Sequence, residues 1–212
     1  ERGIVIPIER IIAIFRNAAQ EMIGAKDELT AIDAKFGDAD HGITMEKIGG
    51  AIISALDSLR AEGSAGMGAL FGACAEGIAN INGGAAVPLW NSIFEGFKNA
   101  TGDTREMSAG DFKKMFQSAL DEIGGLTKAG VGDKTMMDAL IPAVRAISAC
   151  GEEDAALIAR AGADAAVRGA RDSAGMAAKF GRAKNYKEQT IGTPDAGAMS
   201  VMYFFIGLGK AV

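Results

Sequence analysis

The chain has 212 residues, 49% of them hydrophobic, which is enough for one sizeable core and gives no reason to expect a second domain. Its net charge of −5 and its scattered basic residues argue against a nucleic-acid-binding surface, which needs clustered Lys and Arg. The longest apolar run, 198–209, is shorter than the roughly 20 residues of a membrane span, and Cys74 and Cys150 form no CxxC pair. We therefore expect one soluble, cytoplasmic domain over residues 1–212 that binds small ligands rather than nucleic acid or membrane.

Apolar residues at steps of three and four predict helices along almost the whole chain. In the first helix, Ile8, Ile11, Ile12 and Phe15 begin this pattern. The predicted helices span residues 7–23, 26–34, 44–61, 66–81, 88–100, 108–126, 134–150, 153–180 and 197–210. No segment shows the period of two that is typical of a strand. The predicted fold class is all-α, a closed bundle of about eight or nine helices.

Three aspartates lie close together in residues 32–42, from the end of the second predicted helix into the loop that follows it. Asp33 ends a helix, and a loop bounded by glycines turns Asp38 and Asp40 back toward it. Carboxylate oxygens without cysteine ligands suit a hard cation such as Mg²⁺, which commonly binds together with nucleotide phosphates. The spacing therefore predicts a site for one or two Mg²⁺ ions and indicates phosphate chemistry.

Other interpretations of this segment exist. An Asx-rich turn after a helix explains one or two aspartates, but not three beside a histidine. An EF-hand is excluded because Gly42 and Gly49 occupy the fifth and twelfth positions counted from Asp38, where oxygen ligands are required. His41, the only histidine of the chain, is open to three roles: a base, a ligand contact or an ordinary loop residue.

Small residues and isolated cations occupy the later loops. Residues 82–88 form a glycine-rich loop that opens a helix, where free N–H groups can bind an anion. Residues 132–138 place a lysine and a threonine at a helix start, and residues 181–198 supply Arg182, which can hold a phosphate in a fork. Each of these is equally open to an ordinary turn or solvated helix start. No Walker loop or dinucleotide-binding fingerprint occurs, so a nucleotide would need another architecture.

Taken together, these residues resemble the nucleotide-binding L subunit of dihydroxyacetone kinases, which is equivalent to the C-terminal domain of the single-chain kinases. The match runs nearly end to end through Asp33-x4-Asp38-Ala39-Asp40-His41-Gly42, Gly83-Gly84-Ala85, Gly132-Asp133-Lys134-Thr135-Met136, Gly181-Arg182-Ala183 and Asp195-x-Gly197-Ala198. The resemblance implies an all-α, closed barrel of eight antiparallel helices, with Mg²⁺ and ADP or ATP at one end.

The resemblance also implies roles for individual residues. Asp33, Asp38 and Asp40 would hold two Mg²⁺ ions, and these three aspartates together with Arg182 would form the catalytic set. The implied nucleotide contacts are His41, Gly42, Ile43, Thr44, Gly84, Ala85, Ala86, Thr127, Met136, Arg182, Asp195, Ala196 and Gly197.

Several positions depart from the family pattern. Thr44 stands where the family commonly has Asn, Ala86 where it has a phosphate-contacting Ser, and Val87 where it has Gly. Thr127 replaces a Gly near the adenine, and Ala196 replaces a Pro. Losing the serine hydroxyl removes one hydrogen bond, worth about 0.5 to 1.5 kcal/mol. The departures affect nucleotide affinity more than the metal site and are typical of a divergent branch, for example one acting on a tetrulose.

The function implied is phosphoryl transfer to dihydroxyacetone or a related short ketose. In the family the ketose is held as a hemiaminal on a histidine of a partner K subunit, which agrees with the single histidine here. The donor is either ATP or a phosphotransferase-system protein that recharges a retained ADP, and a homodimer is expected. A second hypothesis is an ADP-sensing regulatory module without turnover. A fatty-acid kinase domain is disfavoured because Asp-Ala-Asp-His-Gly resembles the ketose branch more closely.

Overall fold

The computed structural model describes residues 4–63 and 65–210, and within these ranges nine helices make up most of the fold. A single pair of short strands accompanies them: β1 (Val5–Pro7) and β2 (Glu106–Ser108). The helices are α1 (Ile8–Gly24), α2 (Lys26–Asp33), α3 (His41–Glu62), α4 (Met67–Ala79), α5 (Ala86–Thr101), α6 (Ala109–Leu126), α7 (Met137–Ala149), α8 (Ala155–Asp172) and α9 (Ala196–Leu208).

Eight of these helices form a closed ring. Each packs on the next in the order α1, α3, α4, α5, α6, α7, α8 and α9, and α9 returns to α1. The short helix α2 is not part of the ring and packs on α3 and α9. Neighbouring helices run in alternate directions, so α3, α5, α7 and α9 all begin at one end. The predicted all-α, closed antiparallel class is confirmed.

Aromatic side chains fill the centre of the ring. The ring of Phe15 on α1 lies 4.9 to 6.1 Å, centroid to centroid, from those of Phe71, Phe94, Phe97 and Phe204 on three other helices. Edge-to-face pairs of this kind add about 0.5 to 1.5 kcal/mol beyond the burial of their surface. No helix in the two described ranges is both long enough and apolar enough to cross a bilayer.

The predicted helix 153–180 is too long. The helix α8 ends at Asp172, and two 3₁₀ turns follow it, Ser173–Gly175 and Ala183–Thr190. Gly181, between the two turns, has a φ of 63°, outside the right-handed helical region. The connection between α8 and α9 is therefore an irregular segment rather than an extension of α8.

The strand pair and the starts of two helices also differ from the prediction. The strand β1 pairs antiparallel with β2, and three residues are too few to show a period of two. The helix α3 begins at His41, so Thr44 lies inside its first turn. The helix α7 begins at Met137 because Lys134 has a φ of 58° and cannot be helical.

A close backbone contact between α1 and α9 closes the ring. A Cβ atom placed on Gly207 would lie 2.4 Å from the Cα of Ala18 and 2.5 Å from the carbonyl oxygen of Asn17. Both of these are backbone atoms, which cannot move aside as a flexible side chain can. Glycine at position 207 therefore allows the first and last helices of the ring to meet.

We expect Gly207→Ala to lower the free energy of unfolding by about 1 to 3 kcal/mol, because the added methyl group overpacks two backbones. Gly50→Ala in α3 is the matched control, since a Cβ there meets nothing within 4 Å. The control should be stabilised by up to about 1 kcal/mol through helix propensity alone. Urea unfolding followed by circular dichroism measures both, and equal stabilities for the two variants would contradict the role of Gly207.

Candidate functional site

A cavity of about 410 Å³ opens at the end of the ring where four helices begin. Its wall includes Thr44 in the first turn of α3, Ala86 of α5, Met137 of α7 and Ala196 of α9. The free N–H groups and the positive dipole ends of helix N-termini favour anions. Four such ends around one cavity suit a ligand with several negative charges.

The three predicted aspartates meet at the edge of this cavity. Oxygen atoms of Asp33, Asp38 and Asp40, one from each carboxylate, all lie within 4.8 Å of one another. Asp33 is the last residue of α2, and its Oδ2 accepts hydrogen bonds from the backbone N–H groups of Asp40 (3.1 Å) and His41 (3.3 Å). One carboxylate thus joins the end of α2 to the start of α3 and brings the intervening loop back on itself.

The loop reaches this shape through two unusual backbone positions. A Cβ atom on Gly37 would lie 2.0 Å from Oδ1 of Asp33, so only glycine allows the carboxylate to approach so closely. Ala39, between the other two aspartates, has a φ of 59°, a left-handed conformation that costs energy for a residue with a Cβ. Both features hold the carboxylates together rather than apart.

The charges of this cluster are only partly balanced within the described residues. Burial raises the pKa of Asp40, and the negative charges of Asp38 and Asp33 raise it further. The guanidinium of Arg182 forms a salt bridge with Asp38 and acts in the opposite direction on Asp40. A divalent cation would offset the repulsion that raises the pKa of Asp40, and the all-oxygen chemistry of the three side chains fits Mg²⁺ or Ca²⁺.

His41 lies at the first position of α3, beside this cluster. Burial lowers the pKa of its ring, against the charge of Asp33 and a hydrogen bond to the backbone of Ala196, which raise it. No group in residues 4–63 and 65–210 forms a hydrogen bond with its buried Nε2. The neutral ring therefore presents one unsatisfied nitrogen at the site.

The connection between α8 and α9 lies across the mouth of the cavity. We call residues 173–193 of this connection the arginine loop. It carries Arg182, which reaches Asp38, and Tyr186, whose ring lies 5.2 Å from that of Phe36. These two contacts join the arginine loop to residues 34–40, the connection between α2 and α3 that carries Asp38 and Asp40.

The start of α9 forms another part of the wall. Asp195 is the N-cap residue, and its Oδ2 accepts a hydrogen bond from the N–H of Ala198 at 2.8 Å. Burial raises the pKa of Asp195 to about 7, aided by the charge of Asp138 and opposed by the Ala198 N–H and by Lys134. A Cβ on Gly197 would lie 3.3 Å from the backbone nitrogen of Met136, so α7 and α9 begin close together.

Most of the residues named from the sequence line the cavity. They are Asp33, Asp38, Asp40, His41, Thr44, Gly84, Ala85, Ala86, Thr127, Met136, Arg182, Asp195, Ala196 and Gly197. Two others lie outside its lining. Gly42 is buried against α2, where a Cβ would meet the carbonyl oxygen of Lys26 at 2.0 Å, and Ile43 is 41% exposed.

Sequence reasoning missed the apolar part of the wall. Phe36, Leu89, Trp90 and Phe180 also line the cavity. The available signal was that Phe36 and Phe180 each precede a glycine. A helical period, however, is equally consistent with placing such aromatic residues in the hydrophobic core. Lys134 is a further member of the wall and is buried rather than solvated as a helix start would be.

The fold is an all-α ring with a carboxylate cluster and four helix N-termini around a cavity at one end. Residues 35–210 match the DAK2 domain, and the chain belongs to that family. The resemblance to the nucleotide-binding subunits of dihydroxyacetone kinases, predicted from the motifs, is confirmed.

Known relatives include whole kinases and separate subunits. A D-erythrulose kinase of Mycolicibacterium smegmatis is 35% identical over 91% of this chain and 33% of that protein. The ADP-binding subunit DhaL of the PEP-dependent dihydroxyacetone kinase of Escherichia coli is 29% identical over 86% of this chain and 87% of that subunit. The dihydroxyacetone kinase of C. freundii, solved with AMP-PNP and Mg²⁺, superimposes with a TM-score of 0.71 at 22% identity, over 98% of this chain and 35% of that one. The chain spans 33% of the length of the M. smegmatis kinase.

The raised pKa of Asp195 predicts a pH-dependent stability. Between its reference pKa of 3.8 and its folded value of about 7, the folded state holds a proton that the unfolded state has lost. The free energy of unfolding of the wild type should therefore fall as pH rises through this window, and Asp195→Asn should remove that component. Asparagine retains the oxygen that caps α9.

The measurement is urea unfolding of both proteins at several pH values from about 4.5 to 8 in chelator-treated buffer. The stability of Asp195→Asn relative to wild type should rise with pH and level off above about 7. A difference that stays constant across the range would contradict the shifted pKa.

Proposed function

We propose that this chain is the nucleotide-binding part of a kinase that transfers a phosphoryl group to a hydroxyl of a short ketose. It holds ATP or ADP with Mg²⁺ in the cavity, and one domain over residues 1–212 performs this task. The ketose, dihydroxyacetone or a tetrulose such as erythrulose, is carried by a partner K subunit or domain. Relatives named as dihydroxyacetone and erythrulose kinases support this assignment.

One observation carries the proposal: three carboxylates and one guanidinium converge on a cavity surrounded by helix N-termini. The carboxylates suit Mg²⁺, whereas the N-termini and Arg182 suit phosphates. A cavity of about 410 Å³ with apolar side chains such as Leu89 and Phe180 in its wall also has space for a base. Metal, phosphate and apolar surface thus occur in one site, as a nucleotide requires.

The residues of the chain position and neutralise charge rather than form covalent bonds. Asp33, Asp38 and Asp40 would hold one or two Mg²⁺ ions, which when bound neutralise phosphate oxygens and fix the direction of transfer. Arg182 pairs with Asp38 in this structure, and it lies where it can turn to a phosphate once Asp38 binds a cation. His41, neutral and with a free Nε2, can donate or accept one hydrogen bond beside them.

The acceptor must come from elsewhere. The chain has one histidine, and it lies within the nucleotide site, so no other histidine is present to hold a ketose covalently. The D-erythrulose kinase relative is about three times as long as the region that it shares with this chain, which leaves room for a ketose-binding part. We therefore place the ketose on a K-type partner.

Asp40→Ala should weaken Mg²⁺-dependent nucleotide binding by about tenfold or more, with the helical circular dichroism spectrum unchanged. The reason is that Asp40 supplies one of three converging carboxylates but caps no helix with its side chain. Asp164→Ala, on the exposed face of α8, is the matched control and should bind like wild type. Isothermal titration with ADP and ATP, with and without Mg²⁺, measures the effect, and retained binding by Asp40→Ala would overturn the metal assignment.

Native mass spectrometry of the purified chain distinguishes the two donors. Co-purified ADP with Mg²⁺ would support a retained cofactor that a phosphotransferase-system protein recharges. Reversible uptake of ATP only with Mg²⁺ would support direct use of ATP. Binding of ADP without phosphorylation of dihydroxyacetone or erythrulose, in the presence of a K subunit, would instead support the regulatory module, and binding of neither nucleotide would overturn the proposal.

Ala86→Ser should strengthen binding of the Mg²⁺ nucleotide by about two- to tenfold, the equivalent of one net hydrogen bond. Ala86 is the first residue of α5 and lines the cavity, so a hydroxyl there can reach a bound phosphate. Ala79→Ser at the exposed end of α4 makes the same chemical change away from the cavity and should have no effect. Equal affinities for Ala86→Ser and wild type would show that the phosphates do not reach α5.

A further inference from the structure

Lys134 is an unusual residue in this chain. It precedes α7, is only 4% exposed, and has a left-handed backbone with a φ of 58°. Within residues 4–63 and 65–210, no carboxylate forms a salt bridge with it at 4.0 Å or less. Burying an ammonium group without a direct carboxylate partner is costly unless other groups solvate it. Its surroundings therefore need an explanation.

Four backbone carbonyl groups solvate this ammonium group. The Nζ of Lys134 donates to the carbonyl oxygens of Ser173 (2.8 Å), Met176 (3.0 Å), Thr190 (2.9 Å) and Thr193 (2.5 Å). An ammonium group has three N–H donors, so four acceptors occupy all of them. Lys134 lies in the cavity wall but has no donor left for a phosphate.

The four carbonyl groups come from the two ends of the arginine loop. Ser173 and Met176 lie just after α8, whereas Thr190 and Thr193 lie just before α9. Further hydrogen bonds join the same ends. The N–H of Gly192 donates to the carbonyl oxygen of Ala174 (2.7 Å), and the N–H of Ala178 donates to Oγ1 of Thr190 (3.0 Å). One ammonium group thus closes the base of a loop whose tip carries Arg182.

A second contact from the same segment supports this arrangement. Asp133 forms a salt bridge with Lys179 at 2.8 Å, and its carbonyl oxygen accepts a hydrogen bond from the N–H of Lys179. The neighbouring residues Asp133 and Lys134 therefore both bind the arginine loop, Asp133 at Lys179 and Lys134 at the two ends of the loop. The carboxylate of Asp138 in turn accepts hydrogen bonds from the N–H groups of Gly132 and Thr135, which fixes the segment itself.

From this geometry we infer that Lys134 is a positioning residue: it holds both ends of the arginine loop so that Arg182 faces the three aspartates. It acts through Arg182 and does not bind phosphate itself. The link to nucleotide binding rests on the proposed function, whereas the effect on the loop does not. Arg182 would otherwise lie at the tip of a long connection with little regular structure, where its guanidinium would be poorly placed.

The test compares wild type with Lys134→Met, which keeps the length of the side chain and removes its donors. Amide hydrogen exchange of the full chain without ligand should show faster exchange in residues 173–193, by about tenfold at Ala178 and Gly192, with the ring helices unchanged. Lys114→Met, an exposed lysine on α6, is the matched control and should change neither region. Faster exchange throughout the ring, or none in the loop, would overturn the inference.

A double-mutant cycle with Arg182→Ala tests whether Lys134 acts through the arginine. Lys134→Met should weaken binding of Mg²⁺–ADP by about tenfold in the presence of Arg182, but by less than about threefold in the Arg182→Ala protein. A direct phosphate contact would give the same loss in both proteins, and that result would overturn the inference. If wild type binds no nucleotide at all, the proposed function fails, but the exchange result still decides the role of Lys134 in the loop.

A second variant keeps the test decisive if Lys134→Met does not fold. Thr190→Val removes the hydroxyl that accepts from the N–H of Ala178, another bond between the two ends of the loop, but leaves the carbonyl groups in place. It should speed exchange in residues 173–193 to a smaller degree and weaken Mg²⁺–ADP binding only where Arg182 is present. An unchanged loop in this variant, with Lys134→Met unfolded, would indicate a general structural role and would contradict the inference.

Discussion

Repulsion among three clustered carboxylates is the constraint that shapes the functional end of this protein. Asp33, Asp38 and Asp40 each place an oxygen within 4.8 Å of the others, although like charges so close raise the energy of the folded state. The chain offsets this in two ways that are visible in the structure. Asp33 accepts hydrogen bonds from two N–H groups at the start of α3, and Arg182 pairs with Asp38. Both devices leave carboxylate oxygens available to a cation.

The ring of helices provides a rigid frame, and the long connection between α8 and α9 provides the guanidinium group of Arg182. Alternating helix directions bring the first turns of α3, α5, α7 and α9 to one end, so the N–H groups around the cavity need no special loop to present them. Close contacts such as that of Gly207 with α1 keep these helices in place. The guanidinium of Arg182 reaches Asp38 from the connection between α8 and α9, residues 173–195. That connection then needs its own support, which the buried ammonium group of Lys134 provides.

Local patterns in the sequence predicted much of this molecule because the relevant interactions are local. The period of three to four residues marks helices whose apolar faces meet in one core, and it predicted each of the nine α-helices that the described part of the chain contains. The aspartate cluster was predictable for a similar reason, since Asp33 and Asp40 are seven residues apart and one bend brings them together. Prediction failed where the periodicity of apolar residues carried no information. The small and apolar residues after Asp172 are compatible with a helix, so the predicted helix was too long, and the three-residue strands were too short to show a period.

Lys134 shows why the rest of the site was not predictable. Its four acceptors lie 39 to 59 residues away along the chain and are backbone carbonyl groups, which every residue has. Serine, methionine and threonine at these positions therefore give no sign of the contact, because their side chains are not what the lysine binds. A carboxylate cluster is encoded by residue type and short spacing, whereas a cation solvated by carbonyl groups is encoded only by the path of the backbone. The loop that positions Arg182 belongs to the second kind, so it becomes visible only when the whole ring is assembled.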